Sequence, residues 1–237
     1  MNKQSNTYTI IYSAVMVVIV GTVLAFTYLA LKPLQDKNIA TDKMKQILSS
    51  VHISTTPDDI LSTYSKYIIE SYTIDSLNNR IDVKAFDVNI ASQSKVSGEK
   101  RQLPVFVCRL DDGSLKYILP TYGAGLWGPI WGYVAIDANG DTVYGAYFAH
   151  QGETPGLGAE IDKPVFQGQF KNLNLFKEGE FKSIAVEKKG QKPVDGADYV
   201  DAVSGGTITS KGVQSMLAHS LRSYNIFLKS LQKAPLK

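Results

Sequence analysis

The sequence is nearly devoid of cysteine, with a single one, Cys108, among 237 residues. One thiol cannot form an intramolecular disulfide, and it cannot supply the several cysteine ligands of a zinc or iron-sulfur centre. Cys108 lies in the apolar run 103–110, which favours a buried structural thiol over a reactive one. A cysteine-rich redox or metal-binding protein is thereby excluded.

An excess of charge of one sign is also missing. The chain has 25 lysines and arginines against 22 aspartates and glutamates, a formal net charge of +3. Because no basic face stands out, we expect no nucleic-acid partner. Hydrophobic residues make up 44% of the chain, which suits one globular domain with an appendage.

The appendage is an apolar segment without charge over residues 10–31. At about 1.5 Å rise per residue, a helix of this length exceeds the roughly 30 Å hydrocarbon core of a bilayer. The segment is too long for the apolar core of a cleavable signal peptide, and no small-x-small cleavage site follows it. We therefore predict a transmembrane helix over 10–31, preceded by a short cytoplasmic N-terminus at 1–9.

The lysines around this span bear on its orientation. Lys3 precedes it, whereas Lys32, Lys37, Lys43 and Lys45 follow it closely. The positive-inside rule would leave the large domain in the cytoplasm, although that rule governs short loops better than domains translocated whole.

Two short helices are predicted next, as a stalk or collar over 32–75. Thr41 is suited to cap the first, through residue 51. The run 56–59, Thr-Pro-Asp-Asp, combines an N-cap, a proline at the first helical position and acids in the first turn of a second helix ending near residue 69.

The rest of the chain alternates between strands and turns. We expect a loop over 92–100, a short helix over 166–176, and strands over 81–90, 103–110, 115–119, 130–136, 142–148 and 181–187, with Val200 ending a strand or a loop. Asp-Asp-Gly-Ser at 111–114 and Asn-Gly at 139–140 fit the turns of two hairpins. This pattern predicts an α+β fold with one mainly antiparallel sheet and flanking helices.

A long amphipathic helix is predicted near the C-terminus. After Gly212, apolar residues recur at intervals of three and four, namely Val213, Met216, Leu217, Leu221, Tyr224, Phe227, Leu228 and Leu231. Thr209 or Ser210 is the expected N-cap. A helix N-terminus favours an anion by roughly 0.3 to 1 kcal/mol through its dipole, so this segment is either a simple cap or a phosphate site.

A glycine-rich segment at 123–128 matches the dinucleotide pattern Gly-x-Gly-x-x-Gly. That fingerprint needs a helix to begin at the loop, whereas Pro129 and a strand-like run follow here. The segment is therefore not a Rossmann loop. A glycine-rich turn with a structural tryptophan is the alternative that needs no ligand.

A second loop, 150–158, reads His-Gln-Gly-Glu-Thr-Pro-Gly-Leu-Gly. Its proline and glycines fix the positions of Glu153 and Thr154. A metal site at His150 and Glu153 lacks a third ligand, because His52 and His219 sit in unrelated segments. No nucleophile motif accompanies His150, so a general base is not supported.

Three motifs together resemble one family. Asp201, Ser204, Gly205 and Thr207 resemble the flavin-attachment pattern Asp-x-x-(Ser/Thr)-Gly-Ala-Thr of FMN-binding subunits of the sodium-pumping NADH:quinone oxidoreductase and its Rnf relatives, departing from it at Gly206. The segments 121–128 and 150–158 resemble that family's glycine-tryptophan and His-x-Glu-Thr-Pro-Gly-Leu-Gly loops, in the same order. Length and the helical collar favour the C subunit of the sodium-pumping complex over the related G subunit of the Rnf complex.

The resemblance implies a set of FMN-binding residues. Thr207 would carry FMN through a phosphoester bond, with Thr209 as the rival attachment residue. Thr154 would hydrogen-bond the flavin ring, and Leu157 would cover one of its faces. The full implied set is Thr207, Ser204, Gly205, Gly206, Gly123, Gly125, Leu126, Trp127, Glu153, Thr154, Gly156, Leu157 and Gly158, with no catalytic residue and no metal.

The resemblance also implies a cellular role. An FMN-binding domain over 76–237 would lie on the outer, periplasmic face of a bacterial inner membrane and relay electrons between redox centres of neighbouring subunits during sodium export. Its partners would be those subunits, a flavin transferase and the lipid bilayer. Lys188, Lys189, Lys192 and Lys211 are a solvated charge run by default, or lie near the flavin. A membrane-tethered assembly module without a cofactor is the alternative from another class.

Overall fold

The computed structural model describes residues 5–233, apart from the side chain of Glu99. Lys3, which enters the orientation argument, and residues 234–237, predicted as the end of the flavin domain, lie outside the described residues. The chain divides into two compact units, with the boundary between Lys43 and Met44.

The first unit is helical. From Asn6 onward it belongs to helix α1 (Asn6–Ser49), whose last six residues, 44–49, are part of the second unit. This helix includes Pro33, and its most apolar window has a mean hydropathy of 2.4. The helix is thus long and apolar enough to cross a bilayer, in agreement with the predicted span. Thr41 does not cap a new helix, which corrects that prediction: it lies inside α1, where its hydroxyl donates to Lys37 O at 2.9 Å.

The second unit contains a six-stranded sheet in the order β2-β1-β3-β4-β5-β6, and every neighbouring pair is antiparallel. Its strands are β1 (Ile68–Ile74), β2 (Arg80–Ile81), β3 (Leu103–Arg109), β4 (Leu115–Ala124), β5 (Pro129–Asp137) and β6 (Val143–His150). Both predicted hairpins are confirmed. Gly113 and Gly140 adopt φ values of 82° and 68° in their turns, a conformation that glycine adopts without strain.

Two predicted elements before the first hairpin are wrong. The helix expected over 56–69 is the shorter α2 (Ile60–Tyr67), with Asp59 at its N-cap and Thr56 outside it. Ile68 and Ile69 instead begin β1, because pairing with β3 outweighs the local helix signals. The strand expected over 81–90 reduces to β2 and a 3₁₀ turn (Ala85–Asp87). Ala85 in this turn and Val88 just after it are buried, and they are three residues apart.

A short helix α3 (Ile90–Gln93), capped by the Asn89 side chain, overlaps the start of the loop expected at 92–100, and a 3₁₀ turn (Gly98–Lys100) lies at the end of that loop. The helix predicted over 166–176 is limited to α4 (Pro164–Gln167) and a 3₁₀ turn (Gly168–Phe170). Ser183, at φ 66°, divides the strand predicted over 181–187. The strands in this region are β7 (Phe176–Lys177), β8 (Glu180–Phe181) and β9 (Ile184–Glu187).

The C-terminal part of the chain contains one strand and two helices. Strand β10 (Asp198–Asp201) pairs in parallel with β9 and leads into α5 (Thr207–Arg222), which is followed by α6 (Asn225–Lys233). The predicted long helix is therefore two helices. Seven of its eight apolar residues are buried; Leu231 is partly buried and packs at the edge of the core.

The core has one cluster on each face of the sheet. One joins the sheet to α5 and α6, and the other joins it to residues 47–51 and α2. Cys108 lies fully buried in the second cluster, where desolvation raises the pKa of its thiol to about 12. The predicted structural thiol is confirmed, and so is the α+β class with a mainly antiparallel sheet.

Candidate functional site

The Glu153 carboxylate connects the three loops singled out in the sequence. Its Oε1 accepts a hydrogen bond from Trp127 N at 2.9 Å, and its Oε2 accepts one from Thr209 Oγ1 at 2.6 Å. Glu153 is only 5% exposed. One buried side chain thus ties the glycine-tryptophan loop and the start of α5 to the loop 150–158.

Two glycines leave room for this carboxylate. A Cβ at Gly125 would collide with Glu153 Oε1, and a Cβ at Gly158 would collide with both Glu153 Oε2 and Thr209 Oγ1. Both positions were expected to bind a cofactor. The structure shows that each is also required for packing around Glu153.

Helix α5 begins at Thr207, and Gly206 is its N-cap. The expected cap at Thr209 or Ser210 is wrong, since both hydroxyls are buried and used elsewhere. Thr209 bonds Glu153, and Ser210 Oγ accepts from Val203 N at 3.0 Å. Within residues 5–233 no side chain caps this helix.

The two threonines near the start of the helix differ in their exposure to solvent. The Thr207 side chain is exposed, whereas Thr209 is 1% exposed and its hydroxyl is hydrogen-bonded. An exposed hydroxyl at an uncapped helix N-terminus is open to reaction, and the helix dipole favours a phosphate there. The geometry therefore separates two residues that the sequence left as rivals.

The loop before Thr207 packs against the loop 150–158. Gly205 has φ 72°, and a Cβ there would collide with the side chain of Leu157. A Cβ at Gly206 would meet Val203 at 3.1 Å and Gly158 Cα at 3.3 Å, which is tight but does not overlap. Ser204 is exposed beside them.

Main-chain hydrogen bonds shape the loop 150–158 itself. Thr154 O accepts from Leu157 N and from Ala159 N, both at 3.1 Å. Gly156 adopts φ 75°, and its N–H donates to Glu160 Oε1 at 3.1 Å. Thr154 is exposed, and Leu157 is 43% exposed although it is a leucine.

The glycine-tryptophan loop joins β4 to β5, and Gly125 N donates to Gly128 O at 2.8 Å across it. The loop holds Leu126 at 47% and Trp127 at 68% exposure. Gly123 has a packing role, because a Cβ there would come within 2.7 Å of Met216 Cβ on α5. Strand β5 follows this loop directly, consistent with the rejection of a Rossmann site.

A groove of about 760 Å³ runs between α5 and the end of β4. Most of the residues that line the groove were not predicted from the sequence. Those from α5 recur at intervals of three and four residues, which places them on one face of the helix: Ile208, Lys211, Gly212, Ser215, Met216 and His219. Gly212 allows α5 to approach, since a Cβ there would collide with Ala124 O. The groove includes Ile208, the residue that follows Thr207.

The lysines near the motif are of two kinds. Lys211 is engaged by Glu187, at 3.1 Å and 3.2 Å from its two carboxylate oxygens, and by Gln214. Lys188, Lys189 and Lys192 belong to the segment that follows β9, and all three are exposed. Parallel pairing places Asp201, the last residue of β10, opposite Glu187, the last residue of β9. The segment that follows β9 therefore begins beside the residues that lead from β10 to Thr207.

His150 is oriented by protein groups at both ring nitrogens. Its Nδ1 accepts from Glu153 N at 3.1 Å, and its Nε2 lies 3.7 Å from Asp162 Oδ2. Within the described residues, no three His, Cys, Asp or Glu side chains are grouped as they would be around a metal ion.

Comparisons with known proteins identify the family. A family model described as the FMN-binding domain matches residues 125–222. The C subunit of the Na⁺-translocating NADH-quinone reductase of Neisseria meningitidis serogroup B is 32% identical over 98% of this chain and 97% of its own. The corresponding protein of Yersinia pestis is 37% identical over 60% of this chain and 55% of its own.

Solved structures give the same result. The crystal structure of the Parabacteroides distasonis counterpart has 44% sequence identity and a TM-score of 0.80, covering 87% of this chain and 98% of its own. Shewanella oneidensis NqrC has 25% identity and a TM-score of 0.69, covering 83% of this chain and 100% of its own. This chain therefore belongs to the family of C subunits of the Na⁺-translocating NADH-quinone reductase, an enzyme complex.

Proposed function

We propose that this chain is the FMN-carrying subunit of a sodium-translocating NADH-quinone reductase and that FMN is joined through its phosphate to Thr207 Oγ1. The exposed Thr207 hydroxyl at the uncapped N-terminus of α5 is the observation that carries the proposal. Family membership and the match of residues 125–222 to the FMN-binding domain support the cofactor.

Attachment forms a phosphoester bond between Thr207 Oγ1 and the phosphorus of an activated flavin nucleotide. The anhydride bond between the two phosphates of that donor breaks, and the part of the donor that carries the second phosphate leaves. The threonine hydroxyl releases its proton. A flavin transferase would catalyse the step. Thr209 is unsuited to it because its hydroxyl is buried and donates to Glu153.

The residues around Thr207 fit a phosphate with an attached aromatic ring. The first turn of α5 offers main-chain N–H groups to the phosphate. The exposed apolar side chains of Leu126, Trp127 and Leu157 provide surfaces for the ring. Ser204, Gly205 and Gly206 let the loop backbone approach, and Thr154 is placed to hydrogen-bond the ring.

Glu153 has a different role from the other expected ligands. Both of its oxygens accept hydrogen bonds from protein groups, so it orders the loops that hold the cofactor. FMN, when bound, supplies the capacity to take up and pass on electrons, and this chain's residues hold it and leave it accessible. We propose no acid-base residue and no metal.

The chain would act as one member of a membrane complex. We propose that residues 10–31 of α1 anchor it in a bacterial inner membrane, that residues 32–75 follow as a stalk or collar whose last strand, β1, joins the sheet, and that 76–237 complete the flavin domain on the periplasmic face. Neighbouring subunits would donate and accept its electrons while the complex exports sodium. The chain alone would not oxidise NADH.

Replacing Thr207 tests the attachment. Thr207→Ala, made together with its flavin transferase, should lose in-gel flavin fluorescence and the mass increment of one FMN less water. Thr207→Ser and Thr209→Ser, which each keep a hydroxyl, should retain both. Flavin that persists on Thr207→Ala would refute the assignment, and a colourless wild-type protein would favour a membrane-tethered assembly module.

A further inference from the structure

His150 lies at the end of β6, and its side chain is only 17% exposed. The Glu153 backbone N–H donates to its Nδ1 at 3.1 Å. Because a backbone N–H can only donate, Nδ1 carries no proton. A neutral imidazole then carries its proton on Nε2.

Asp162 lies on the side where that proton sits. Its Oδ2 is 3.7 Å from Nε2, too far for a hydrogen bond but close enough for electrostatic attraction. Its Oδ1 forms an ion pair with Lys163 Nζ at 3.0 Å. A carboxylate near Nε2 favours the tautomer that leaves Nδ1 free to accept.

The pair acts on the candidate site through a single residue. His150 holds the backbone of Glu153, and the Glu153 carboxylate holds Trp127 N and Thr209 Oγ1. We propose that His150 and Asp162 are positioning residues of the flavin site, which set the loops around Thr207 by fixing the main chain at Glu153. This inference rests on the proposed function and names the groups that position its site.

Amide hydrogen exchange at Glu153 tests the proposal without any flavin. The parent is the full chain carrying Thr207→Ala, so the result does not depend on FMN attachment. His150→Asn keeps an acceptor near the position of Nδ1, whereas His150→Leu removes it. The loss of one hydrogen bond should speed exchange in His150→Leu by about tenfold, while His150→Asn stays near the parent. His52→Asn, which alters a histidine bonded to Tyr144 O, should have no effect.

Asp162 gives a second readout. Asp162→Asn should give protection at Glu153 between that of the parent and that of His150→Leu. In flavin-loaded protein with Thr207 intact, His150→Leu should shift the visible circular dichroism and midpoint potential of the flavin, and His150→Asn should restore them. Equal exchange in the Leu and Asn variants, or exchange in Asp162→Asn equal to that of the parent, would overturn the proposal. The Asp162→Asn comparison remains decisive if His150→Leu does not fold.

Discussion

The hydroxyl of Thr209 donates to Glu153 Oε2 at 2.6 Å inside the protein, and this bond fixes the start of α5 against the loop 150–158. The same carboxylate accepts from Trp127 N. A residue two positions from the proposed attachment point is thus part of the support for the site. Its hydroxyl is thereby removed from competition with Thr207.

Replacing the Glu153 carboxylate should lower the free energy of unfolding in proportion to the number of hydrogen-bond donors left without an acceptor. Glu153→Ala leaves the Trp127 N–H and the Thr209 hydroxyl without their acceptor, and we expect a loss of about 3 kcal/mol in the free energy of unfolding. Glu153→Gln keeps one amide oxygen and should lose about 1 kcal/mol. Urea denaturation of the purified protein measures both.

The control for this change is Glu180→Gln, since Glu180 is exposed on β8 and forms a surface ion pair with Lys182. Its denaturation midpoint should match that of the wild type. If Glu153→Ala were as stable as this control, Glu153 would not hold the loops together.

Alanine at Gly158 should be costly, and alanine at Gly152 in the same loop should not. A Cβ at Gly158 overlaps Glu153 and Thr209, whereas one at Gly152 meets nothing within 4 Å. Overpacking of this kind costs about 1–3 kcal/mol. Thermal unfolding of Gly158→Ala and Gly152→Ala measures the difference, and equal melting temperatures would show that the space around the carboxylate is not limiting.

The neighbouring glycines 205 and 206 should respond differently to alanine. Gly205→Ala would be strained at φ 72° and would collide with Leu157, so we expect a loss of about 1–3 kcal/mol and less attached flavin. Gly206→Ala restores the alanine of the attachment motif at contacts of 3.1 Å and 3.3 Å, which a small shift relieves. It should keep its flavin and nearly wild-type stability. Flavin mass increments and melting temperatures of the pair decide this, and the opposite order would contradict the loop packing described here.

Cys108 should resist thiol reagents in the folded protein. Burial raises the pKa of its thiol from 9.0 to about 12, so at pH 8 the folded chain presents almost no thiolate. The unfolded thiol ionises near pH 9, so raising the pH from 9 towards 12 favours the unfolded chain at this site. A disulfide reagent at pH 8 should label the protein only in denaturant, and rapid labelling without denaturant would show that the thiol is accessible.

The elements predictable from the sequence were those with strong local signals. The hairpins at β3–β4 and β5–β6 follow from apolar runs around short turns, and α5 follows from its three-and-four spacing. The attachment motif at Ser204, Gly205 and Thr207 came from resemblance to a family pattern, and it stays a prediction. Such features depend on neighbours in the chain.

What sequence reasoning missed depends on partners distant in the chain. Strand β1 exists because Ile68–Ile74 pairs with β3, although the preceding residues favour a helix. Threonine is a common helix cap, but the buried hydroxyl of Thr209 donates to a glutamate 56 residues away in the chain. Gly123 and Gly212 are small because α5 lies against β4. The pairing of β1 and the bond of Thr209 leave no periodic signal in the sequence.

Peptide mapping of the natively expressed, flavin-loaded protein tests the central claim most directly. Proteolysis followed by fragmentation mass spectrometry should place the increment of one FMN less water on Thr207 and leave Thr209 and Ser204 unmodified. An increment on Thr209 would contradict the account, because that hydroxyl would then have to leave Glu153 and the interior of the protein.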